Sequence, residues 1–331
     1  MRVLVTGASG LIGRHTVELL LRDGHDVRTF QRNALTRGAD SSISGRVEAL
    51  ERLSVRTSHA AENRAAQTLA LESVAGDVRT DMASLYAAAQ GCHAAVHLAG
   101  RGDVAESRRD PLGYAQLNAN GTLNALEAAR AAGAMFVLAS SQRVYPLQPR
   151  PCREDDRLAP DSPYGYTKWV AEVWCRMASE QFGVTTRVLR FFSVYGPGQQ
   201  PNGGSGVVTI FARAALAGEP LLVQSAGQRD FTDARDVARG ILLALQAPAD
   251  STHRVYNIAT GLGTTFRALA EHVIATAGSP SSIEETVQEP PGRDLVADIS
   301  RARTELGYTP GIPLQQGLEH YIQWLRQHDS A

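Results

Sequence analysis

The sequence predicts a doubly wound, parallel α/β sheet joined to a smaller α/β lobe. Three observations predict it. The opening stretch MRVLVTGASGLIG reads as a short β-branched strand, a glycine turn and the head of a helix. Further short apolar strands then alternate with longer amphipathic runs, as in βαβ units. A strand that finishes in Ser140–Ser141 is followed by Tyr164 and Lys168 at helical spacing. Ligands of such sheets bind beyond the carboxyl ends of the strands.

Composition narrows the function classes. A chain of 331 residues can bury the core of a two-part α/β enzyme. Its formal net charge of −1 supplies no basic field for nucleic acid. Cys92, Cys152 and Cys175 are scattered without metal or redox spacing, so no metal is expected and a reducing compartment fits. No charged leader with an apolar core opens the chain, and no run approaches the roughly 18 apolar residues of a membrane span. The expectation is a soluble, cytoplasmic protein that binds neither membrane nor nucleic acid.

The first element justifies itself residue by residue. Arg2 to Thr6 is strand-like, and Gly7, Gly10 and Gly13 follow it in a G-x-x-G-x-x-G spacing. Gly7 permits the turn, Gly10 admits a pyrophosphate close to the backbone, and Gly13 lets the helix sit tightly on the sheet. Leu11 and Ile12 open that helix, whose free N–H groups and dipole suit phosphate. An ordinary strand–turn–helix corner is the plainer reading. With its glycine spacing, MRVLVTGASGLIGRHTVELLLRDGHDV resembles the extended short-chain dehydrogenase/reductases, the NAD-dependent epimerase/dehydratase group, and within it the UDP-galactose 4-epimerase branch. The resemblance implies a Rossmann fold and extends over nearly the whole chain, apart from about residues 33–67.

His25 to Gln31 is the second strand. An acidic residue at its end favours NAD by accepting the ribose hydroxyls; the resemblance implies an Asp at the position of Gln31. Here Gln31 is followed by Arg32, with Arg28 earlier. Without the carboxylate a 2′-phosphate is not repelled, and a guanidinium can bind it with two hydrogen bonds. The pattern favours NADP over NAD; the alternative is a solvated Arg32 and NAD held by other groups. Asn33 to Gln67 reads as an insertion with short amphipathic stretches at Arg46–Leu53 and Ala60–Leu69, either a surface loop or a cover for the cofactor.

Leu69 to Ala75 is the third strand, followed by Gly76, Asp77 and Val78. The resemblance places Asp77 and its neighbour Val78 at the adenine. Ala94 to Leu98 is the fourth strand, and Leu98, Ala99 and Gly100 bring small residues beside the pyrophosphate or nicotinamide ribose. His97, at a buried strand end, is expected to be structural. Gly113 to Ala132 reads as one long helix whose Asn118, ahead of Gly121–Thr122, resembles a family residue that braces the active-site strand.

Met135 to Ser141 is the fifth strand, and Tyr164 and Lys168 lie one helical turn apart on one face. Hydride transfer at carbon needs proton transfer at oxygen. A phenol normally titrates near 10, and a neighbouring ammonium favours its phenolate. Tyr164 is therefore the expected acid/base, and Lys168 the group that lowers its pKa and holds the ribose. Ser141 is the expected donor to the substrate oxygen. Ser140 is expected to brace the turn, and Tyr166 to face elsewhere.

Val184 to Phe192 is the sixth strand, and FFSVYGPGQ follows with Ser193 where the resemblance implies Asn. A shorter side chain there leaves the substrate open. Val207–Ala217 reads as a helix and Pro220–Gln224 as a strand of the smaller lobe. The resemblance assigns Arg229 and Arg293 to a nucleotide diphosphate; a surface pairing of Arg229 with Asp230 or Asp233 is the alternative. Residues 1–192 are expected to form the dinucleotide domain, with 234–260 returning to it. Residues 193–233 and 261–331 would then form the substrate lobe.

Gln142 and Arg143 follow Ser141 where related dehydratases carry acids, so elimination would lack its proton carrier. The expected function is nucleotide-sugar epimerisation, at C4, and the resemblance implies a homodimer through the helices Gly113–Ala132 and Tyr164–Phe182. An NADP-dependent reductase of a non-nucleotide carbonyl and a non-catalytic dinucleotide sensor are the alternatives.

Overall fold

The computed structural model of the chain describes residues 1–33, 70–199, 206–248, 252–286 and 292–328. Seven parallel strands form its main sheet: β1 (Arg2–Thr6), β2 (Asp26–Gln31), β3 (Leu71–Ala75), β4 (Ala94–His97), β5 (Met135–Ser141), β6 (Thr186–Phe191) and a last strand, His253–Ile258. The last strand lies at one edge, followed by β6, β5, β4, β1, β2 and β3. The order reverses between β1 and β4, so a crevice opens at their carboxyl ends. Register brings those ends level: Thr6 pairs with both Phe30 and His97, and Ser141 pairs with Phe191.

Both faces of the sheet are covered, which is why its strands are apolar throughout. The helices Leu11–Arg22 and Ala234–Gln246 bury Val17, Leu20, Val237 and Ile241 against Val3 and Val5 on one face. On the other face, the helices Met82–Ala89, Gly121–Ala131 and Pro163–Phe182 pack Leu85, Leu126, Ala171 and Cys175 against Leu4, Phe136 and Val188. The smaller lobe gathers the helices Val207–Ala217, Phe266–Ala277 and Leu314–His328 around Phe211, Leu269, Leu318 and Tyr321. Its strands Leu221–Val223 and Ile283–Glu285 pair in parallel.

Three boundaries differ from the sequence reading. Gly113–Ala132 is not one regular helix: Pro111–Tyr114 leads into a π-helical turn, Ala115–Asn120, before Gly121–Ala131. Such turns widen a helix by one residue and recur at functional sites; this one carries Asn118. The helix Ser300–Leu306 does not stay with the smaller lobe. Ala302, Leu306 and Tyr308 are buried with Val3 and Val5 in the sheet's own core. The third strand starts at Leu71, and the helices expected at Arg46–Leu53 and Ala60–Leu69 lie outside the described residues. Among the described residues, no helix is long and apolar enough to cross a membrane.

Candidate active site

Two cavities meet at the carboxyl edge of the sheet and share Leu98, Gly100 and Arg101 in their walls. One, of about 780 Å³, runs along Gly7, Gly10, Gln31, Arg32, Asp77, Val78 and Ala99. The other, of about 530 Å³, lies between sheet and lobe and is walled by Ile12, Ser141, Tyr164, Lys168, Ser193 and Arg229. The described structure therefore brings most of the predicted residues together in two adjoining compartments; Leu11, Gly13 and Arg293 are not among the described residues of either wall.

The glycine turn shapes the first compartment. Gly7 has φ +70°, and a Cβ there would meet the Ala99 nitrogen at 2.6 Å. A Cβ on Gly13 would meet the Gly7 carbonyl oxygen at 2.2 Å. Backbone thus approaches backbone where only hydrogen fits, and the helix Leu11–Arg22 starts at Gly10 without a side-chain cap. Its first N–H groups face the turn, the arrangement that receives a phosphate. These features fit a dinucleotide.

At the far end the sequence expectation needs correction. Arg28 points away from the compartment: its guanidinium bonds Glu72 at 2.6 Å and the carbonyls of Ala88 and Gln90, both at 2.9 Å. Residues alternate sides along β2, so Arg28 and Gln31 lie on opposite faces. Gln31 is buried; its Oε1 accepts from the Ser9 N–H and its Nε2 donates to the Asn33 carbonyl. Its amide therefore braces the glycine turn. Arg32 remains exposed on the wall. Asp77 is engaged by Arg79, whose Nη2 lies 2.6 Å from Oδ2, and those hydrogen bonds hold the Asp77 carboxyl below its usual range. Arg79 also lines this wall, a residue that no motif in the sequence had marked.

In the second compartment β5 supplies Ser141, and the helix Pro163–Phe182 supplies Tyr164 and Lys168. Ser162 caps the helix by accepting from the Gly165 N–H, and Pro163 occupies its first turn. Tyr164 and Lys168 then face the sheet, while Tyr166 is 50% exposed on the other side. Ser141 and Tyr164 both line this cavity, and the Ser141 hydroxyl favours the Tyr164 phenolate. Burial pushes the Tyr164 phenol above its ordinary value; the Ser141 hydroxyl and the Arg143 charge oppose that shift. Lys168 donates to the Ala139 carbonyl at 2.8 Å, and burial lowers its pKa to about 8, against the pull of Glu172. The cation easing the phenol is thus Arg143, while the Lys168 ammonium is directed to the strand carbonyl.

Ser140 and Ser141 divide their roles. Ser141 caps the short turn Gln142–Val144. Ser140 faces the other side of β5 and donates to Glu172, which lies two turns along the helix from Tyr164. Glu172 also holds Arg190 of β6 through two hydrogen bonds, of 2.9 and 2.7 Å. Asn118 accepts from the Arg101 N–H and donates to the Arg101 carbonyl and to Thr167. It ties the loop after β4 to the helix Pro163–Phe182. His97 is buried with Nδ1 2.8 Å from Thr6 Oγ1, and burial drives its pKa down to about 3. It stays neutral and structural.

The lobe side is less regular. Ser193 has φ +24°, a region that non-glycine residues seldom visit. Its Oγ accepts from Gln142 Nε2 at 3.0 Å. Arg229 is buried, stacks on Phe266 at 5.2 Å and donates to the Gln228 and Arg293 carbonyls, rather than pairing with Asp230. Asp230 instead accepts from the backbone N–H groups of Thr260, Gly261 and Ala297. Arg293 is exposed and contributes its carbonyl to Arg229; it is not among the described residues of the cavity wall. Asp103 is the one carboxylate in the described wall, and its side chain caps the helix Val104–Arg109. Among the described residues no cluster of His, Cys, Asp and Glu could hold a metal ion.

A family model described as the NAD dependent epimerase/dehydratase family matches residues 3–259. The chain is 34% identical to the UDP-glucose 4-epimerase of Mycolicibacterium smegmatis, over 98% of this chain and 99% of that one. Among solved structures it is similar to MoeE5 in complex with UDP-glucuronic acid and NAD, with TM-score 0.82 and 29% identity across 99% of both chains. A UDP-glucuronic acid 4-epimerase variant from Bacillus cereus, in complex with a fluorinated UDP-glucuronic acid and NAD, aligns with TM-score 0.83 and 26% identity, again across 99% of both.

Proposed function

The chain belongs to the NAD dependent epimerase/dehydratase family, as an enzyme of that class, and on that premise we propose that it inverts one carbinol, at C4, of a nucleotide-linked sugar. The observation that carries this reading is the gathering of Ser141, Tyr164 and Lys168 on the wall of one cleft that also holds Arg229. The relatives whose names specify a nucleotide sugar agree with it.

Gly7, Gly10, Gln31, Arg32, Asp77, Val78 and Leu98–Gly100 wall the compartment that would hold the dinucleotide, and Gly13 lets the helix Leu11–Arg22 pack closely on the turn. When bound, a nicotinamide dinucleotide supplies a hydride acceptor that returns the hydride later. Tyr164 as its phenolate takes the C4 hydroxyl proton and, then a phenol, gives it back after the sugar has turned. Ser141 donates to the same oxygen as it becomes a carbonyl. Lys168 keeps a positive charge beneath the ribose site, a charge that fades above about pH 8. Arg229 anchors the diphosphate, so the sugar can present either face without leaving. Elimination is disfavoured because Gln142 and Arg143 border Ser141 and Asp103 serves as a helix cap. A panel of nucleotide sugars, read for product and for nicotinamide absorbance, tests the reading. A C4 epimer without net cofactor change supports it; a dehydrated keto-sugar, or stoichiometric cofactor oxidation, defeats it.

For the cofactor, NADP is proposed as well as NAD, because Gln31 replaces the ribose-binding acid and Arg32 stays exposed beside it. Replacing Arg32 by Ala is expected to weaken NADP about tenfold or more relative to NAD, the loss of one charge-assisted contact. Titrations of both cofactors against both proteins decide it, and equal losses would return the preference to NAD. The same family reading suggests a homodimer through the helix Pro163–Phe182, where Tyr166, Trp169, Val170 and Val173 are each at least 36% exposed. Light scattering should give twice the chain mass, and Trp169→Glu should return it to one.

A further inference from the structure

Among the described residues three arginines line the cleft: Arg101, Arg143 and Arg229. Two are compensated. Arg101 pairs with Glu106 and Asp110 and lies over the Tyr114 ring at 4.6 Å. Arg229 is bonded to two carbonyls and stacked on Phe266. Arg143 differs: half-buried, it has no ion-pair partner and no side-chain hydrogen bond among the described residues. Its main chain is fixed, since its N–H donates to Ser141 Oγ at 3.2 Å. Its carbonyl is packed so closely on Gly165 that a Cβ there would come within 2.4 Å. Arg143 lines the cleft, and its charge favours the Tyr164 phenolate.

A partly desolvated, uncompensated guanidinium is unfavourable unless a ligand completes it. Its position selects the ligand group. Arg143 lies at the end where the carbinol reacts, and Arg229 serves the diphosphate in the reading above. The planar fork of Arg matches a carboxylate through two parallel hydrogen bonds, which a hydroxymethyl group cannot supply. A second unfilled group adjoins it: Gln142 Oε1 is buried without a partner, while Nε2 is engaged by Ser193. That oxygen calls for a hydroxyl donor, and a uronate ring carries such hydroxyls beside its carboxylate.

We propose that Arg143 is the specificity-determining anchor for a carboxylate on the sugar ring, so that the preferred substrate is a nucleotide-linked uronate rather than the neutral hexose. This inference rests on the nucleotide-sugar reading and refines it.

The test compares UDP-glucuronate with UDP-glucose on the dinucleotide-loaded enzyme, for the parent protein, Arg143→Gln and Arg143→Lys. In the parent, kcat/KM is expected to be higher for UDP-glucuronate. In Arg143→Gln the uronate-to-hexose ratio should fall about a hundredfold, the scale on which a site rejects a ligand leaving its polar group unpaired. Arg143→Lys should restore part of that ratio, because the charge remains and the fork is lost. Calorimetric binding of each sugar nucleotide to folded, loaded protein provides a second reading in which UDP-glucuronate should lose more affinity than UDP-glucose. A ratio unchanged in Arg143→Gln, or a parent enzyme that favours UDP-glucose, overturns the inference while the nucleotide-sugar reading stands. Turnover of neither sugar nucleotide by the loaded parent enzyme overturns both.

Discussion

Tyr164→Phe is expected to lower turnover by about a hundredfold or more, the lower range for loss of a general acid–base group, while dinucleotide affinity stays near that of the parent. The substitution removes one oxygen from a site whose shape is set elsewhere. Ser162 caps the helix, Thr167 is tied to Asn118, and Lys168 remains on the Ala139 carbonyl. The ring should therefore stay in place while the proton loses its carrier. Because burial raises the phenol above its ordinary value, the parent enzyme should gain activity as pH rises through the neutral range, where the phenolate fraction grows. The decline of the Lys168 charge above about 8 opposes that gain. Turnover near the parent rate in the Phe variant would remove Tyr164 from the chemistry.

Glu172→Ala is expected to cost about 3–5 kcal/mol of stability, the range for a buried ion pair that loses one partner. Glu172 is buried and accepts from Arg190 twice and from Ser140. Arg190 continues the chain of contacts to the Tyr145 hydroxyl at 2.6 Å and the Glu154 carbonyl at 3.0 Å. The Tyr145 hydroxyl donates to Asn257 on the last strand. Removing the carboxylate leaves a buried guanidinium without its counter-ion and loosens the helix Pro163–Phe182 from β5 and β6. A double change, Glu172→Met with Arg190→Met, should recover much of the loss, because an apolar pair of similar volume needs no compensation. Urea denaturation measures both. A loss below about 1 kcal/mol in Glu172→Ala would mean that the network is not what holds the helix.

Cooperative placement of this kind explains why activity and stability meet on one helix. Tyr164, Lys168 and Glu172 follow one another at one-turn intervals, so a single face carries the proposed acid/base, the cation and the structural anchor. The signal for Glu172 was therefore present in the spacing. What the spacing lacked was its partner, because Arg190 arrives from a strand distant in sequence.

Sequence by itself determined the sheet and the glycine turn, and it marked Ser141, Tyr164 and Lys168, which the fold brings to one cavity wall. Those features are local or periodic: a strand shows as an apolar run, a turn as glycines, a helix face as a repeat near one turn. It also distinguished Ser141 from Ser140 and set aside His97 and Tyr166, and the structure leaves Tyr166 exposed and His97 buried on Thr6. Tertiary structure alone decided which polar groups are left without partners. Arg28 and Arg32 look equivalent in the sequence, yet the pairing of β2 with β3 places Glu72 beside Arg28 and leaves Arg32 at the cavity wall. Gln31 reads as a missing acid, but its amide bridges Ser9 and Asn33. Arg143 reads only as a residue that cannot act as an acid; folding compensates Arg101 and Arg229 around it and leaves its own charge facing the cleft. The physical reason is the same in each case. Backbone conformation responds to neighbours along the chain, whereas the satisfaction of a side-chain charge depends on groups that only the completed packing brings within reach.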